Sequence, residues 1–437
     1  MCRVPKGTRK VRFSFEESHL THFGGMWLIQ RFCNRLRLRW LLQKHVDRLR
    51  RAGTYHSAEL ILALLFAIIM GLRRINKTDI LQYNGALLEM LGLKRFPDQS
   101  TLRRFLKRLP PKNIHQVARL HDSLRAQLFA LPHERSSLVF DLDSTVLIIY
   151  GHAEGARIGY NPKKRGRRSY LAWLCADAET GEIWQASYHP GNAHASTISV
   201  AQLEQAFAKL PTEVREVRVR ADAAFYDRAV IGFLEERAVR YAIVAQLTQR
   251  LKEKVAALRY GRVSAGIWAA DFRYHPQGWP GPRRFIAIRR PVKEEPSYQL
   301  TLWRLGNHTY QVIVTNLPLR PLNLWRFYNG RAGAELVIRE MKEGYALGNI
   351  PTGVWSANVA YFHLVVFAYN LLHWFQRLCV PPEWARLTLQ TLRQRLLVIP
   401  AELVRPQGRA ILRMPHSYPH QRIFQETLQR IARLTFR

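Results

Sequence analysis

Two hydrophobic rhythms divide this chain. From residue 27 apolar side chains recur at helical spacing (Trp27, Leu28, Phe32, Leu36, Leu38, Leu42) with arginines between them, which predicts an amphipathic helix over 27–51. The stretch 60–72 is apolar almost throughout and predicts a buried helix over 58–72, with Ser57 placed to cap it. A bilayer needs about 20 such residues, so this run does not predict a membrane span. A third helix is predicted over 79–91. Pro97 then stops one element, and Asp98 or Ser100 can cap another whose outward face carries Arg103, Arg104, Lys107 and Arg108. A short, capped, basic helix after several others has the form of a helix-turn-helix reader. Residues 110–134 read as a further helix and a linker.

The period then changes to two. Residues 137–150 predict a strand that carries Asp141 and Asp143 on one face. A loop over 151–169 holds Lys163, Lys164, Arg165, Arg167 and Arg168, and strands over 170–178 and 183–189 return as antiparallel partners. Helix and strand alternate next: a helix over 198–209, a strand over 214–221 ending at Asp222, a helix over 228–236 and a strand over 241–245. Strands joined through helices, with acids at their ends, predict an α/β sheet with a site at its edge. Residues 246–325 form a Gly/Pro-punctuated, β-rich segment, with strands over 266–274, 283–290, 298–303 and 309–316, read as an insertion. A long apolar helix is predicted over 356–378, and 383–437 reads as helical and basic. The layout is therefore a helical, basic DNA-binding region (1–134), an α/β core in two pieces (135–245 and 326–380), the insertion (246–325) and a C-terminal helical region (381–437).

Charge narrows the partner. The 437 residues include 67 Lys and Arg against 32 acids, a net charge of +35. The basic residues are spread along the chain among Trp, Tyr and Phe, which points to nucleic acid along an extended surface; an anionic membrane is the weaker reading. Cys2, Cys33, Cys175 and Cys379 show no CxxC spacing, so neither a structural zinc nor a disulfide framework is expected. A basic N-terminus with no apolar stretch and cleavage site after it predicts no signal peptide, and a reducing cytoplasm fits.

The candidate chemistry lies in the acids. Asp143, Asp222 and Glu335, with no His or Cys among them, suit hard, oxygen-seeking Mg²⁺. Two such ions can flank a phosphate in an in-line displacement. Asp141 points the same way as Asp143, and either could reach a metal; Ser144 and Thr145 after it favour Asp143, with Asp141 as a supporting acid. Tyr328, Arg331, Glu335 and Lys342 fall at roughly 0°, −60°, −20° and −40° if one helix runs through them, so a phenol, a guanidinium, a carboxylate and an ammonium would share a face. His152, His189 and His194 read as structural groups or DNA contacts.

The spacing Tyr328-x2-Arg331-x3-Glu335-x6-Lys342 resembles the signature of DDE transposases from bacterial insertion sequences, in the branch with a β-rich insertion before the glutamate (the IS-four and IS-thirteen-eighty type). Asp143-Ser-Thr resembles that family's first-aspartate motif, and Ala221-Asp222 with Phe225-Tyr226-Asp227 its second. Tyr150-Gly-His and Gly159-Tyr-Asn, with Pro190-Gly-Asn-Ala-His194, resemble one subfamily. The resemblance spans about residues 98–375. It implies an RNase H-like catalytic fold interrupted by the β-rich insertion. It implies Mg²⁺-dependent hydrolysis at the element's ends (two ions, with Mn²⁺ able to substitute) and attack of the freed 3′-hydroxyl on target DNA. Catalysis and metal binding would fall to Asp143, Asp222 and Glu335, with Asp141 possible. Tyr328, Arg331 and Lys342 would hold the DNA end. Trp279 or Trp303 could stack on a flipped base. Expected partners are the terminal inverted repeats and target DNA, bound by a homodimer pairing two ends in the bacterial nucleoid. A catalytically silent DNA-binding descendant and a structure-selective nuclease are the alternatives.

Overall fold

The computed structural model describes residues 19–49, 55–129, 131, 135–161, 164–292 and 303–435. The basic N-terminus before residue 19 and Lys163 lie outside the described residues, as does most of the strand expected over 298–303.

Helices α1 (Met26–Arg35) and α2 (Leu38–His45) replace the single helix expected over 27–51. They part at Arg37, whose φ of 54° lies in the left-handed region and cannot continue a helix. α3 (Ser57–Ile69) is buried almost all round, as its run of apolar residues dictates. Its cap is His56 rather than Ser57: the His56 amide donates to Glu59 Oε2 at 2.9 Å, and Ser57 sits inside the first turn. The helix expected over 79–91 is α-helical only at Gly85–Met90, and the nine residues 75–83 before it wind as a 3₁₀ helix. Asp98 caps α4 (Gln99–Arg108), accepting from the Thr101 amide at 2.8 Å. α5 (Pro111–Phe129) follows.

Among the described residues eleven strands form one mixed sheet. Its centre comprises β1 (Ser137–Ile148), β2 (Arg168–Asp177), β3 (Ile183–Pro190), β4 (Glu216–Ala221) and β5 (Arg240–Val244). β1 pairs antiparallel with β2, and β2 with β3; on its other side β1 runs parallel to β4, and β4 to β5. Helices α6 (Ala195–Phe207) and α7 (Arg228–Glu236) make the crossovers that parallel pairing requires. Bare backbone meets backbone where the 151–169 loop crosses the turn after β3: a Cβ on Gly159 would run into the Gly191 carbonyl, so both glycines are needed for the approach.

The β-rich segment does not stand apart from this sheet. β6 (Ile267–Tyr274), β7 (Arg283–Pro291) and β8 (His308–Thr315) continue it, because β8 pairs antiparallel with β5 through Ile313 opposite Val244. The helical regions are likewise joined. α8 (Pro321–Asn329), α9 (Ala332–Gly344) and the long α10 (Trp355–Cys379) follow β8. α10 buries Phe367, Tyr369, Trp374 and Phe375 in one apolar core with Phe32, Phe66 and Leu102 of the N-terminal helices. The C-terminal region is not wholly helical: residues 401–404 and 411–413 pair as strands before α11 (Gln421–Arg433). Among the described residues no helix is long and apolar enough to cross a membrane.

Candidate active site

Register brings the two aspartates together. In the parallel pairing of β1 with β4, Leu142 lies opposite Ala221, so Asp143 and Asp222 emerge side by side just beyond that rung. Asp222 leaves the end of β4 and turns the chain: its Oδ1 accepts from the Ala224 amide at 3.0 Å. Asp227 caps α7 by accepting from the Ala229 amide at 2.8 Å, while Phe225 is buried in the core beneath. The Phe225-Tyr226-Asp227 triplet thus holds the turn that aims Asp222.

The third acid arrives on a broken helix. α8 ends at Asn329, and α9 begins at Ala332, with Gly330 and Arg331 between them. Three-residue hydrogen bonds bridge the junction, from the Arg331 amide to the Tyr328 carbonyl and from Ala334 to Arg331, each 2.9 Å. The four signature residues therefore do not share one exposed helical face. Tyr328 and Arg331 are buried, Glu335 is 68% exposed, and Lys342 reaches the Val146 carbonyl of β1 at 3.5 Å. Of the apolar residues between them, Met341 is buried but Leu336 is 53% exposed.

Arg331 is the hub. Its Nη2 lies 3.2 Å from Asp143 Oδ1 and 3.3 Å from Asp222 Oδ2, and its Nη1 lies 3.6 Å from Glu335 Oε1. Three carboxylates from two strands and a helix thus converge on one guanidinium. Burial pushes the Asp143 carboxyl up to about 6; Arg331 opposes that shift, and neighbouring Asp222 and Glu335 add to it. Burial likewise lifts the Tyr328 phenol to about 12. This is a cluster of three carboxylates against one guanidinium, and its hard oxygen donors are of the type that suits a divalent cation. Among the described residues no three metal-type side chains close on a single chelating point. The acids are gathered around Arg331 rather than around an ion position.

Asp141 is placed elsewhere. Both its oxygens are committed to Arg220, Oδ1 to Nε at 2.6 Å and Oδ2 to Nη2 at 2.7 Å. Arg220 also donates through Nη1 to the Phe327 carbonyl of α8 at 2.7 Å, through space that only Gly330 leaves open. Arg220 therefore ties β1, β4 and the helix that leads into Arg331. Sequence reading missed this residue; the signal was an arginine two places before Asp222, on the strand parallel to one with Asp141 two places before Asp143.

The remaining candidates are scattered. Lys164, Arg165, Arg167 and Arg168 are exposed, with Lys164 Nζ 2.7 Å from the Tyr150 hydroxyl. Arg104 and Lys107 lie on the exposed face of α4, but Arg103 does not: it turns inward, and its buried Nε has no hydrogen-bond partner among the described residues. The apolar side of α4 (Leu102, Phe105, Leu106) fixes that helix against α10, and this sets which way Arg103 faces. His189 is half-buried against Ser187 Oγ at 2.8 Å, whereas His152 and His194 are exposed. Trp279 already stacks on Tyr226, next to the Asp222 turn, with ring centroids 5.2 Å apart, and Trp303 packs on Tyr310.

The family model described as "Transposase DDE domain group 1" matches residues 4–436. No curated protein matches the chain. Among solved structures, the chain is similar to a piggyBac transposase in a synaptic complex with hairpin DNA, at 10% identity and a TM-score of 0.45, over 86% of this chain and 80% of that one. That likeness is too distant to carry an inference.

Proposed function

The chain belongs to the DDE transposase family, through the transposase DDE domain group 1, and from that premise we propose that it excises and inserts a bacterial insertion sequence by cut-and-paste transposition. The observation that carries this reading is the convergence of Asp143, Asp222 and Glu335 on Arg331 where β4 ends beside β1. We read the five central strands as an RNase H-like core, because an antiparallel trio followed by two parallel strands places the first two acids side by side. Asp143, Asp222 and Glu335 would hold two Mg²⁺ ions, or Mn²⁺. Bound there, the ions would activate the attacking oxygen and stabilise the leaving one, at the element end and then at the target.

The chain's own residues do the rest. Arg331 serves as counter-charge that keeps three mutually repelling carboxylates within reach of each other. Tyr328, Arg331 and Lys342 meet the phosphates of the DNA end, with the exposed Lys164, Arg165, Arg167 and Arg168, their sequence neighbour Lys163, and the α4 face of Arg104 and Lys107 extending the path. Asp141 acts through Arg220 as a positioning acid. Two copies of the chain pair two ends in the cytoplasm. In an excision assay, a marker bounded by the gene's own flanking DNA is expected to be lost with the parent protein and retained with Glu335→Gln. Equal loss with both would refute the reading. Arg331→Gln and Tyr328→Phe are expected to weaken binding of a pre-cut end about tenfold, roughly 1.4 kcal/mol, while random duplex binding changes less, as gel shifts would show.

A further inference from the structure

A basic groove lies at the far end of the strand that carries Asp143. It has a volume of about 610 Å³ and runs between the N-terminal helices and the 348–353 loop. Arg73, Arg74, Arg103, His152 and Asn349 line it, with Tyr150 just beyond the end of β1, and among the described residues no carboxylate does. None of the three arginines is ion-paired among the described residues. The Asn349 side chain donates to the Arg73 carbonyl at 2.9 Å, which fastens the two walls. The partly buried Arg103 contributes an Nε with no hydrogen-bond partner among the described residues, and leaving a buried donor unmet costs free energy that an acceptor would recover. Lys164 reaches Tyr150 and so joins the groove to the basic 164–168 loop.

We propose that this groove is a second phosphodiester site, which grips the DNA backbone away from the cut and fixes the register of the duplex over the acids. Resting on the transposase reading, it gives that reading a subterminal anchor. Three unpaired guanidiniums in a concave wall suit phosphate oxygens, because each offers planar, paired N–H donors and keeps its charge. Asp143 and Ile149 are six residues apart on extended backbone, roughly 20 Å at about 3.3 Å per residue. At about 3.4 Å per base pair that separation corresponds to roughly six base pairs, so the phosphates held here belong to the same duplex, about half a helical turn from the one being cut.

The test measures duplex binding by anisotropy across a salt series for the parent, Arg73→Ala, Arg73→Ala/Arg103→Ala and Arg103→Lys. Duplexes are a pre-cut end from the flanking DNA, the same end truncated to four base pairs, and a scrambled duplex standing for target. The double variant is expected to bind the full-length end at least tenfold more weakly, with a log–log salt slope shallower by about 1.8 for two lost contacts. Arg103→Lys is expected to retain most of the slope, and the truncated end is expected to bind parent and variants alike. Loss on the pre-cut end alone assigns the groove to element ends; loss on both full-length duplexes assigns it to DNA of either source. An unchanged slope in a double variant that melts like the parent overturns the groove. Should the double variant fail to fold, an unchanged slope in Arg73→Ala, whose side chain is exposed, does the same. A parent that binds no DNA overturns the transposase reading itself.

Discussion

Asp222→Asn is expected to lower strand cleavage by at least about a thousandfold while changing DNA affinity less than threefold. The substitution removes one charge from a partly exposed side chain that touches Arg331 and the Ala224 amide. An asparagine oxygen can still accept from Ala224, so the turn after β4 survives and the protein folds. What is lost is a hard anionic donor beside Asp143, on which the proposed chemistry depends. Removing a negative charge from a DNA-facing surface does not weaken binding to a polyanion, so a combined loss of binding and cleavage would point to a phosphate-gripping role instead. Cleavage within tenfold of the parent would remove Asp222 from the catalytic set.

Arg220→Ala carries the largest expected effect on stability, a loss of about 3–5 kcal/mol. Asp141 is 2% exposed and, among the described residues, is ion-paired with Arg220 alone, so the change strands a buried carboxylate. It also frees the Phe327 carbonyl and opens space beneath Gly330. Burial already pushes the Asp141 carboxyl up with Arg220 present, which marks how poorly solvated it is. The double variant Asp141→Leu/Arg220→Met removes both charges and fills the volume, and is expected to regain most of the loss. Denaturant unfolding measures both. An Arg220→Ala protein as stable as the parent would show that the pair is not what fastens α8 to the sheet. The rescued double variant is also expected to cleave more slowly than the parent, because Arg220 positions the helix that ends at Arg331.

Much of the site was legible because local pattern encodes it. Alternating apolar residues marked β1 and β4, Asp222 sat at the end of β4 while Asp143 lies within β1, and the Tyr328–Lys342 spacing named a helix with a carboxylate among cations. What escaped depends on contacts between distant segments. A uniform turn per residue predicted one continuous face for Tyr328, Arg331, Glu335 and Lys342, but the chain tightens at Gly330 so that Arg331 can reach the Leu142 carbonyl at 3.4 Å. Leu336 reads as a packing residue by type and faces solvent by geometry. Arg103 reads as a surface cation because its neighbours are basic, yet the burial of Phe105 and Leu106 rotates it inward. The segment after β5 read as an insertion by composition, and only strand pairing shows that it prolongs the same sheet.

Asp143, Asp222 and Glu335 are proposed to cut DNA with divalent cations. The direct measurement is strand cleavage of an end-labelled duplex spanning the junction between the gene's flanking DNA and its surroundings, incubated with protein and either Mg²⁺ or EDTA. A nick at one boundary with Mg²⁺, absent with EDTA and absent for Asp222→Asn, is the predicted result. Cleavage that persists in EDTA, or that ignores the loss of Asp222, would contradict the account.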